Sequence, residues 1–228
     1  MSTSHPSGKA TTQAAREAHQ PGLLAAYGVR ARSYNRDTGM FHRYRRAVVE
    51  ALPLRRGQLV LDVGCGTGLC TGFLRDKVGP QGGVVGIEES PEMAAVAREQ
   101  IACERWRNVT VVQSPAEHAE LGLTADAALF CAVHDILQSP GALRNVLARL
   151  RPGGWVAAGG AKWAAPVLVG LNALVGASHA PYVRSFRGFD KPWRHLERLT
   201  DDVHVQEVWF GSGYIMTGRI PAQPGRPA

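Results

Sequence analysis

The residues best placed to do chemistry lie in one short stretch, Val60-Leu61-Asp62-Val63-Gly64-Cys65-Gly66-Thr67-Gly68. A run that reads as a buried strand leads straight into three glycines at alternate positions, and a helix-like segment follows from Leu69 to about Lys77. Glycines at a strand-to-helix turn let the backbone approach a ligand closely and accept positive φ. A second strand, Gly83-Val84-Val85-Gly86-Ile87, ends in Glu88, where a carboxylate can accept hydrogen bonds from a ribose diol. Loop and acid together describe a nucleoside pocket. Spacing narrows the choice: the dinucleotide fingerprint is G-x-G-x-x-G, but here the third glycine comes one residue early, at Gly68, and Leu69 takes the dinucleotide position.

More landmarks follow in order. Ser90-Pro91-Glu92-Met93 opens a helix, with proline in the first turn, where its missing amide has no intrahelical partner. Val109-Thr110-Val111-Val112 is a third strand by β-branching, and Ser114-Pro115-Ala116-Glu117 comes after it. A fourth strand, Ala125 to Cys131, continues into Ala132-Val133-His134-Asp135. Leu150-Arg151-Pro152-Gly153-Gly154 reads as a turn before a fifth strand, Trp155 to Ala158. With these landmarks, residues 58–160 resemble the class I S-adenosylmethionine-dependent methyltransferases of small-molecule type, in the broad group that contains the ubiquinone and menaquinone methyltransferases.

That resemblance implies S-adenosyl-L-methionine as cofactor and a small, apolar or aromatic methyl acceptor. It implies a cofactor site built from Asp62, Gly64, Cys65, Gly66, Gly68, Glu88, Glu89, Met93, Ala116, Glu117 and Cys131, with Tyr34 closing over it from the N-terminal side. It puts His134 and Asp135 at the strand-four tip, beside the transferred methyl, with no metal. His134 is the expected general base if the acceptor must lose a proton, because histidine titrates near neutral pH; His42 and His179 are secondary candidates. One position departs from the family. Many relatives have an aspartate where Pro115 stands, accepting from the adenine amino group, and proline offers only its carbonyl. Adenine recognition then falls to the backbone around Ala116 and to Glu117.

The elements that must position these residues alternate as helix and strand from Gln58 to Ala158, which predicts parallel βαβ units. Asp201 to Phe210 reads as a sixth strand, Gly211-Ser212-Gly213 as a turn and Tyr214 to Arg219 as a seventh strand; so short a turn forces that pair antiparallel. The expected fold is α/β: a Rossmann-like seven-stranded sheet, five parallel strands plus an antiparallel C-terminal pair, helices on both faces. The 228 residues suit one domain, expected over 22–219, with a helical cap at 22–56 and a substrate-side insertion at 161–199. Polar residues 1–21 and 220–228 read as disordered tails without a secretory h-region. The insertion gathers Trp163, Tyr182, Phe186, Phe189 and Trp193, which suggests an apolar acceptor pocket. Within it Asp190 and Pro192 read as a helix start.

The net charge of +7 and the pI near 9.6 raise nucleic acid as a partner. The charge gathers in Arg30, Arg32, Arg36, Arg43, Arg45, Arg46, Arg55 and Arg56, without an RNA-binding module or an aromatic stacking signature. That pattern reads as a solvated face, so no nucleic-acid partner is expected. Four cysteines lack C-x-x-C spacing, which argues for reduced thiols in a cytoplasmic protein. The most apolar window, Trp163 to Ala177, is 15 residues long against the roughly 20 that span a membrane, and reads as a buried or pocket-lining helix. Two other functions fit parts of the pattern. One is an RNA-binding or RNA-methylating protein using the basic N-terminal region; the other is a nicotinamide-dependent oxidoreductase, which the early third glycine opposes. Neither oligomeric state nor the choice among O-, N- and C-methylation is written in the sequence.

Overall fold

A computed structural model describes residues 41–222 of the chain. Tyr34, the expected tail 1–21, the first part of the expected cap and residues 223–228 lie outside the described residues. The elements run α1 (His42–Ala51), β1 (Leu59–Val63), α2 (Thr71–Val78), β2 (Gly83–Glu88), α3 (Pro91–Cys103), β3 (Val109–Gln113), β4 (Ala125–Cys131), α4 (His134–Leu137), α5 (Pro140–Leu147), β5 (Leu150–Ala161), α6 (Val169–His179), α7 (Arg194–Glu197), β6 (Asp201–Val208) and β7 (Gly213–Arg219). One sheet holds all seven strands in the order β3-β2-β1-β4-β5-β7-β6. The first five are parallel, and β7 runs antiparallel to both β5 and β6.

Strand periodicity explains why the sheet is covered on both faces. Leu61, Val63, Val85, Ile87, Ala128 and Phe130 point to one side, where Leu137, Leu143, Val146 and Leu196 of α4, α5 and α7 cover them. Their neighbours Val60, Val84, Ala127 and Leu129 point to the other, against Val48, Val49, Leu74 and Val78 of α1 and α2. Burying a Val or Leu side chain contributes roughly 1.5–3 kcal/mol, so a slip by one residue would exchange the two cores and is strongly disfavoured. Helix starts are written locally. Ser90 accepts from the Met93 amide at 3.3 Å ahead of Pro91, and Ser139 accepts from the Ala142 amide at 3.1 Å ahead of Pro140; such caps stabilise by about 1 kcal/mol each.

Several extents differ from the sequence reading. The Leu150–Gly154 segment is no turn before the strand but part of β5: Leu150 pairs with Ala125, and the register shifts between Ala125 and Ala127. Gly153 takes φ 72° in this bulge, while a Cβ on Gly154 would meet the Arg151 and Asp126 carbonyls at 2.9 Å. β4 ends at Cys131, as read from the sequence. Ala132 adopts φ 59°, a left-handed conformation that is strained for alanine, and donates its amide to Gly159 O at 2.7 Å. That turn sends His134 into α4. β6 ends two residues early because Trp209 and Phe210 also take positive φ, 52° and 56°. Ile220, placed in the flexible tail, is tied to Gly153 and Gly154 by backbone bonds of 3.0 and 2.8 Å.

The insertion differs most. The apolar window is helical only from Val169, and its helix is not buried: Val175 alone is fully covered, while Val167 is 83% and Val169 72% exposed. Asp190 caps nothing; α7 starts later, after Trp193, and Asp190 instead pairs with Arg194 at 2.6 Å.

Candidate active site

β1 and β4 are neighbours, yet the chain leaves β1 towards β2 and β4 towards β5, on opposite sides. A crevice opens past the carboxyl ends of strands at such a switch point. It is walled by the glycine loop, Ile87 and Glu88 at the end of β2 with Glu89 beyond it, Met93 of α3, Ser114 and Ala116 after β3, and Cys131 at the end of β4 with the following residues to Ile136.

The three loop glycines have separate reasons to be glycine, and all have positive φ. A Cβ on Gly64 would lie 2.5 Å from Val133 and 2.9 Å from Ile136, so its absence lets the β4–α4 connection close in. A Cβ on Gly66 meets nothing within 4 Å and would project into the open cleft. Gly68 sits against α3, with Gln100 at 3.2 Å and Ala97 at 3.6 Å from its Cβ position, and is not part of the cleft wall. The loop is held by Cys65 N donating to Ile87 O at 3.0 Å and Gly66 N donating to Glu88 Oε2 at 2.8 Å. The other Glu88 oxygen accepts from Ser90 N at 2.8 Å. A carboxylate has about four lone-pair sites, so Glu88 retains capacity for a diol.

Behind the loop lies Asp62, buried and accepting from Thr71 Oγ1 at 2.8 Å. Burial pushes its pKa to about 7, Thr71 partly offsets this, and the charge of Glu88 adds to it. Burial also raises Glu88 above the usual carboxylate range. Two acids disfavoured as anions beside one cleft suit a cationic ligand.

Of the residues expected at the cofactor, Asp62, Gly64, Cys65, Gly66, Glu88, Glu89, Met93, Ala116 and Cys131 line this cleft. Gly68 and Glu117 do not. Glu117 is exposed and turns to Ser139 Oγ, 3.4 Å away, over Gly141. The Pro115 carbonyl already accepts from His118 N at 2.9 Å and from Ser114 Oγ at 3.1 Å. The adenine side therefore presents the Ser114 hydroxyl and Ala116.

A second cavity of about 380 Å³ adjoins the first. It shares Arg45, Cys131, Ala132, Val133, His134 and Tyr182 with the cleft and is otherwise walled by Phe41, Tyr44, Leu171, Leu174, Val175, His179, Phe189, Trp209 and Tyr214. Tyr44 fixes the joint between α1 and the sheet edge: its hydroxyl donates to the Tyr214 and Gly160 carbonyls, and its ring packs on Trp209 at 4.4 Å.

His134 stands where the two spaces meet. Its Nε2 is 3.1 Å from the Arg187 carbonyl, which can only accept, so Nε2 carries the hydrogen and Nδ1 keeps a lone pair. Nδ1 is buried and has no hydrogen-bond partner. Burial holds the imidazole pKa below its ordinary 6.5, against the opposing charge of Asp135, so the ring is neutral at pH 7. Asp135 does not orient this ring. Its carboxylate accepts from the Arg184 amide at 3.1 and 3.2 Å, while the Arg184 guanidinium reaches Glu89 at 3.6 Å, so the insertion is tied down beside the cleft. His42 lies on the exposed side of α1 against Phe73 and lines neither space.

Sequence reasoning missed Arg45 and Arg184 as wall residues, while Tyr182, expected in the acceptor pocket, lines the cofactor cleft as well. Arg45 was grouped with the solvated arginines, yet it is buried. Its spacing carried the signal: Arg45, Val48, Val49 and Leu52 follow the i, i+3, i+4, i+7 pattern of a buried helix face. Nothing local marks Arg184. Among the described residues no cluster of His, Cys, Asp or Glu could hold a metal ion, and no helix is long and apolar enough to cross a membrane.

Fold and cleft together define a doubly wound nucleoside-cofactor domain. Residues 60–154, a little under half of the chain, match the methyltransferase domain family, and the sheet and cleft they build are of the class I S-adenosylmethionine-dependent methyltransferase type. Among curated proteins it is 46% identical over 65 residues to protein-L-isoaspartate O-methyltransferase of Ignicoccus hospitalis, covering 28% of this chain and 31% of that one. To 2-phytyl-1,4-naphthoquinone methyltransferase of Thermosynechococcus vestitus it is 32% identical over 123 residues, covering 51% and 52%. The chain thus spans about a third to a half of the length of these relatives. A solved S-adenosylmethionine-dependent methyltransferase from Aquifex aeolicus shares the fold with TM-score 0.57 at 22% identity, covering 77% of this chain and 89% of that one. The nicotinamide alternative falls with this assignment. The acceptors named for the two relatives are a protein and a naphthoquinone, so kinship fixes the cofactor half of the reaction and leaves the acceptor open.

Proposed function

We propose that this chain methylates a small, apolar or aromatic acceptor seated in the second cavity. The observation that carries the reading is the shared wall: Arg45, Cys131, Ala132, Val133, His134 and Tyr182 border both the cofactor cleft and an aromatic-lined space. The cavity volume of about 380 Å³ falls within the range of small-molecule pockets, roughly 300–1,000 Å³.

The residues of the cleft fit S-adenosylmethionine: Gly66 leaves its backbone open, Glu88 has spare lone pairs, and the raised Asp62 and Glu88 favour a cation. When bound, the cofactor supplies an electrophilic methyl on a sulfonium, which departs as a neutral thioether as the acceptor's lone pair takes the carbon. The chain's task is then alignment, which in oriented sites accounts for several kcal/mol of barrier, and the handling of one proton. For a hydroxyl acceptor the base is His134, whose imidazole, kept neutral by burial, stands on the wall shared by the two spaces. Val133, Phe189 and Leu171 exclude water around the reacting oxygen.

The test is transfer of labelled methyl from S-adenosylmethionine to a panel of naphthols and phenols, total RNA and an isoaspartyl peptide. Label should enter the aromatic alcohols. Label found only in RNA or only in the peptide would overturn the reading.

A further inference from the structure

One residue joins the two sides of the cofactor cleft. β2 and β4 flank β1, and adjacent strands lie about 4.8 Å apart, so the tips of β2 and β4 stand roughly 10 Å from each other. Glu89 follows the β2 tip, Asp135 lies past the β4 tip, and both line the cleft. Arg184, from the insertion between β5 and β6, lines it too. Its amide is held on the β4 side, donating to the Asp135 carboxylate oxygens at 3.2 and 3.1 Å. Its guanidinium reaches the β2 side, 3.6 Å from the Glu89 carboxylate. The pair therefore links opposite walls past the end of β1, where the glycine loop begins.

Both ends of this link are anchored, and its middle is loose. On the β4 side the strap from Tyr182 to Arg187 is pinned twice, by Asp135 at Arg184 and by His134 Nε2, 3.1 Å from the Arg187 carbonyl. Burial raises the Asp135 carboxyl above its usual range, and the bond from the Arg184 amide is the largest influence that lowers it again. On the β2 side Glu88 fixes the backbone next to Glu89 through the Gly66 and Ser90 amides. The ion pair itself is long beside the roughly 2.7–2.9 Å of a charge-assisted hydrogen bond. Its side chains are 33% and 27% exposed, so it shifts an equilibrium by roughly two- to fivefold at most. Such a contact is too weak to hold a ligand by itself and weak enough to open and close readily.

We propose that the Arg184–Glu89 pair closes over the occupied cofactor cleft and sets how fast S-adenosylhomocysteine leaves it, with Asp135 positioning Arg184. This rests on the cofactor reading of the cleft and on no choice of acceptor. Arg184, Glu89 and Asp135 act here as positioning residues: none is asked to touch the transferred methyl. Where product release is the slow step, as in many enzymes, the pair governs turnover from outside the chemistry.

The test is the release rate of radiolabelled S-adenosylhomocysteine chased with excess unlabelled ligand, in wild type, Arg184→Met, Glu89→Gln and the double variant, each shown folded by circular dichroism. Either single change should speed release roughly two- to fivefold. The double variant should release no faster than the faster single one, because both changes remove the same contact. Exchanging the charges, Glu89→Arg with Arg184→Glu, should bring the rate back towards wild type. Raising salt from about 0.05 to 1 M should speed wild-type release towards that of the single variants, since screening weakens the pair. Single variants that release at the wild-type rate, or a double variant whose acceleration is the product of the two single ones, would refute the bridge while leaving the cofactor cleft intact. If the wild type binds no S-adenosylhomocysteine, the cofactor reading fails first and this inference with it.

Discussion

Replacing Asp62 with Asn sets stability against cofactor binding. The carboxylate is buried, and its pKa rises from 3.8 to about 7, chiefly through burial and also through the charge of Glu88. For an acid raised in the folded state, the stabilising contribution is full below pH 3.8 and is lost as pH rises through about 7. That gap is about 3 units, at 1.36 kcal/mol each, which sets a ceiling of about 4 kcal/mol on what the ionised form subtracts at pH 8. Asn keeps an oxygen for the Thr71 hydroxyl, which Asp62 now accepts at 2.8 Å, and carries no charge. The variant without cofactor should be more stable than wild type at pH 8 by on the order of 2–4 kcal/mol, a Tm rise of about 5–15 °C, and the advantage should shrink towards zero at pH 4. Its affinity for S-adenosylmethionine should meanwhile fall at least about tenfold, because a cation in the cleft loses a counter-charge. Thermal melts by circular dichroism at pH 4, 6 and 8, with calorimetry at pH 8, supply both halves. A stability difference that stays constant with pH, or an Asn variant weaker than wild type at pH 8, would refute a strained carboxylate at this position.

The other expectations concern the loop, the acid at its tip and the base. Gly66→Val should stay folded but lose about 1–2 kcal/mol, because Gly66 sits at φ 58°; it should show no calorimetric heat with S-adenosylmethionine, since its side chain enters the open cleft, and normal affinity would make the loop an ordinary turn. Glu88→Ala should weaken cofactor binding tenfold or more, since Glu88 also holds the Gly66 and Ser90 amides. Glu89→Ala, which breaks only a 3.6 Å pair with Arg184, should cost a few-fold, and equal losses would misplace the ribose. His134→Ala should lower kcat for a hydroxyl acceptor by on the order of 10²–10⁴. Because burial lowers the His134 pKa, wild-type kcat/KM should hold level down to pH 6.5 and fall only below it, a limb the variant should lack; a wild-type rate in the variant would reduce His134 to a packing residue.

The cofactor half of the site was legible because its determinants are local. A strand, three glycines and an acid lie within 29 residues, Val60 to Glu88, and each glycine answers to a backbone angle or a close approach that the chain states on the spot. The hairpin of β6 and β7 was legible for the same reason. What failed were boundaries set by a distant partner. Leu150 extends β5 because Ala125 is there to pair with it, and Trp209 leaves the strand conformation to pack on Tyr44, 165 positions earlier. Hydropathy read Trp163 to Ala177 as a buried or pocket-lining helix; α6 lines the cavity with one side, but hydropathy cannot say whether a surface covers the other, and among the described residues none does.

The proposed acceptor cavity shows why the boundary of legibility falls where it does. Its walls come from α1, the β4–α4 turn, β5, α6, the segment up to Phe189 and the β6–β7 turn, so no window of the sequence contains it. The cofactor is common to all members of such a family, and the loop that meets it can be written as a motif. The acceptor varies among members, and the walls that meet it are assembled from whatever the local chain brings to the sheet edge. The two halves join at Ala132, whose left-handed backbone ends β4 and turns His134 into the wall between the cofactor cleft and the second cavity. Strain in alanine at that point persists only because Gly159 O takes its amide and Gly64 leaves room for the next residue, Val133. The glycine that reads as a cofactor signature therefore also sets the position of the proposed base.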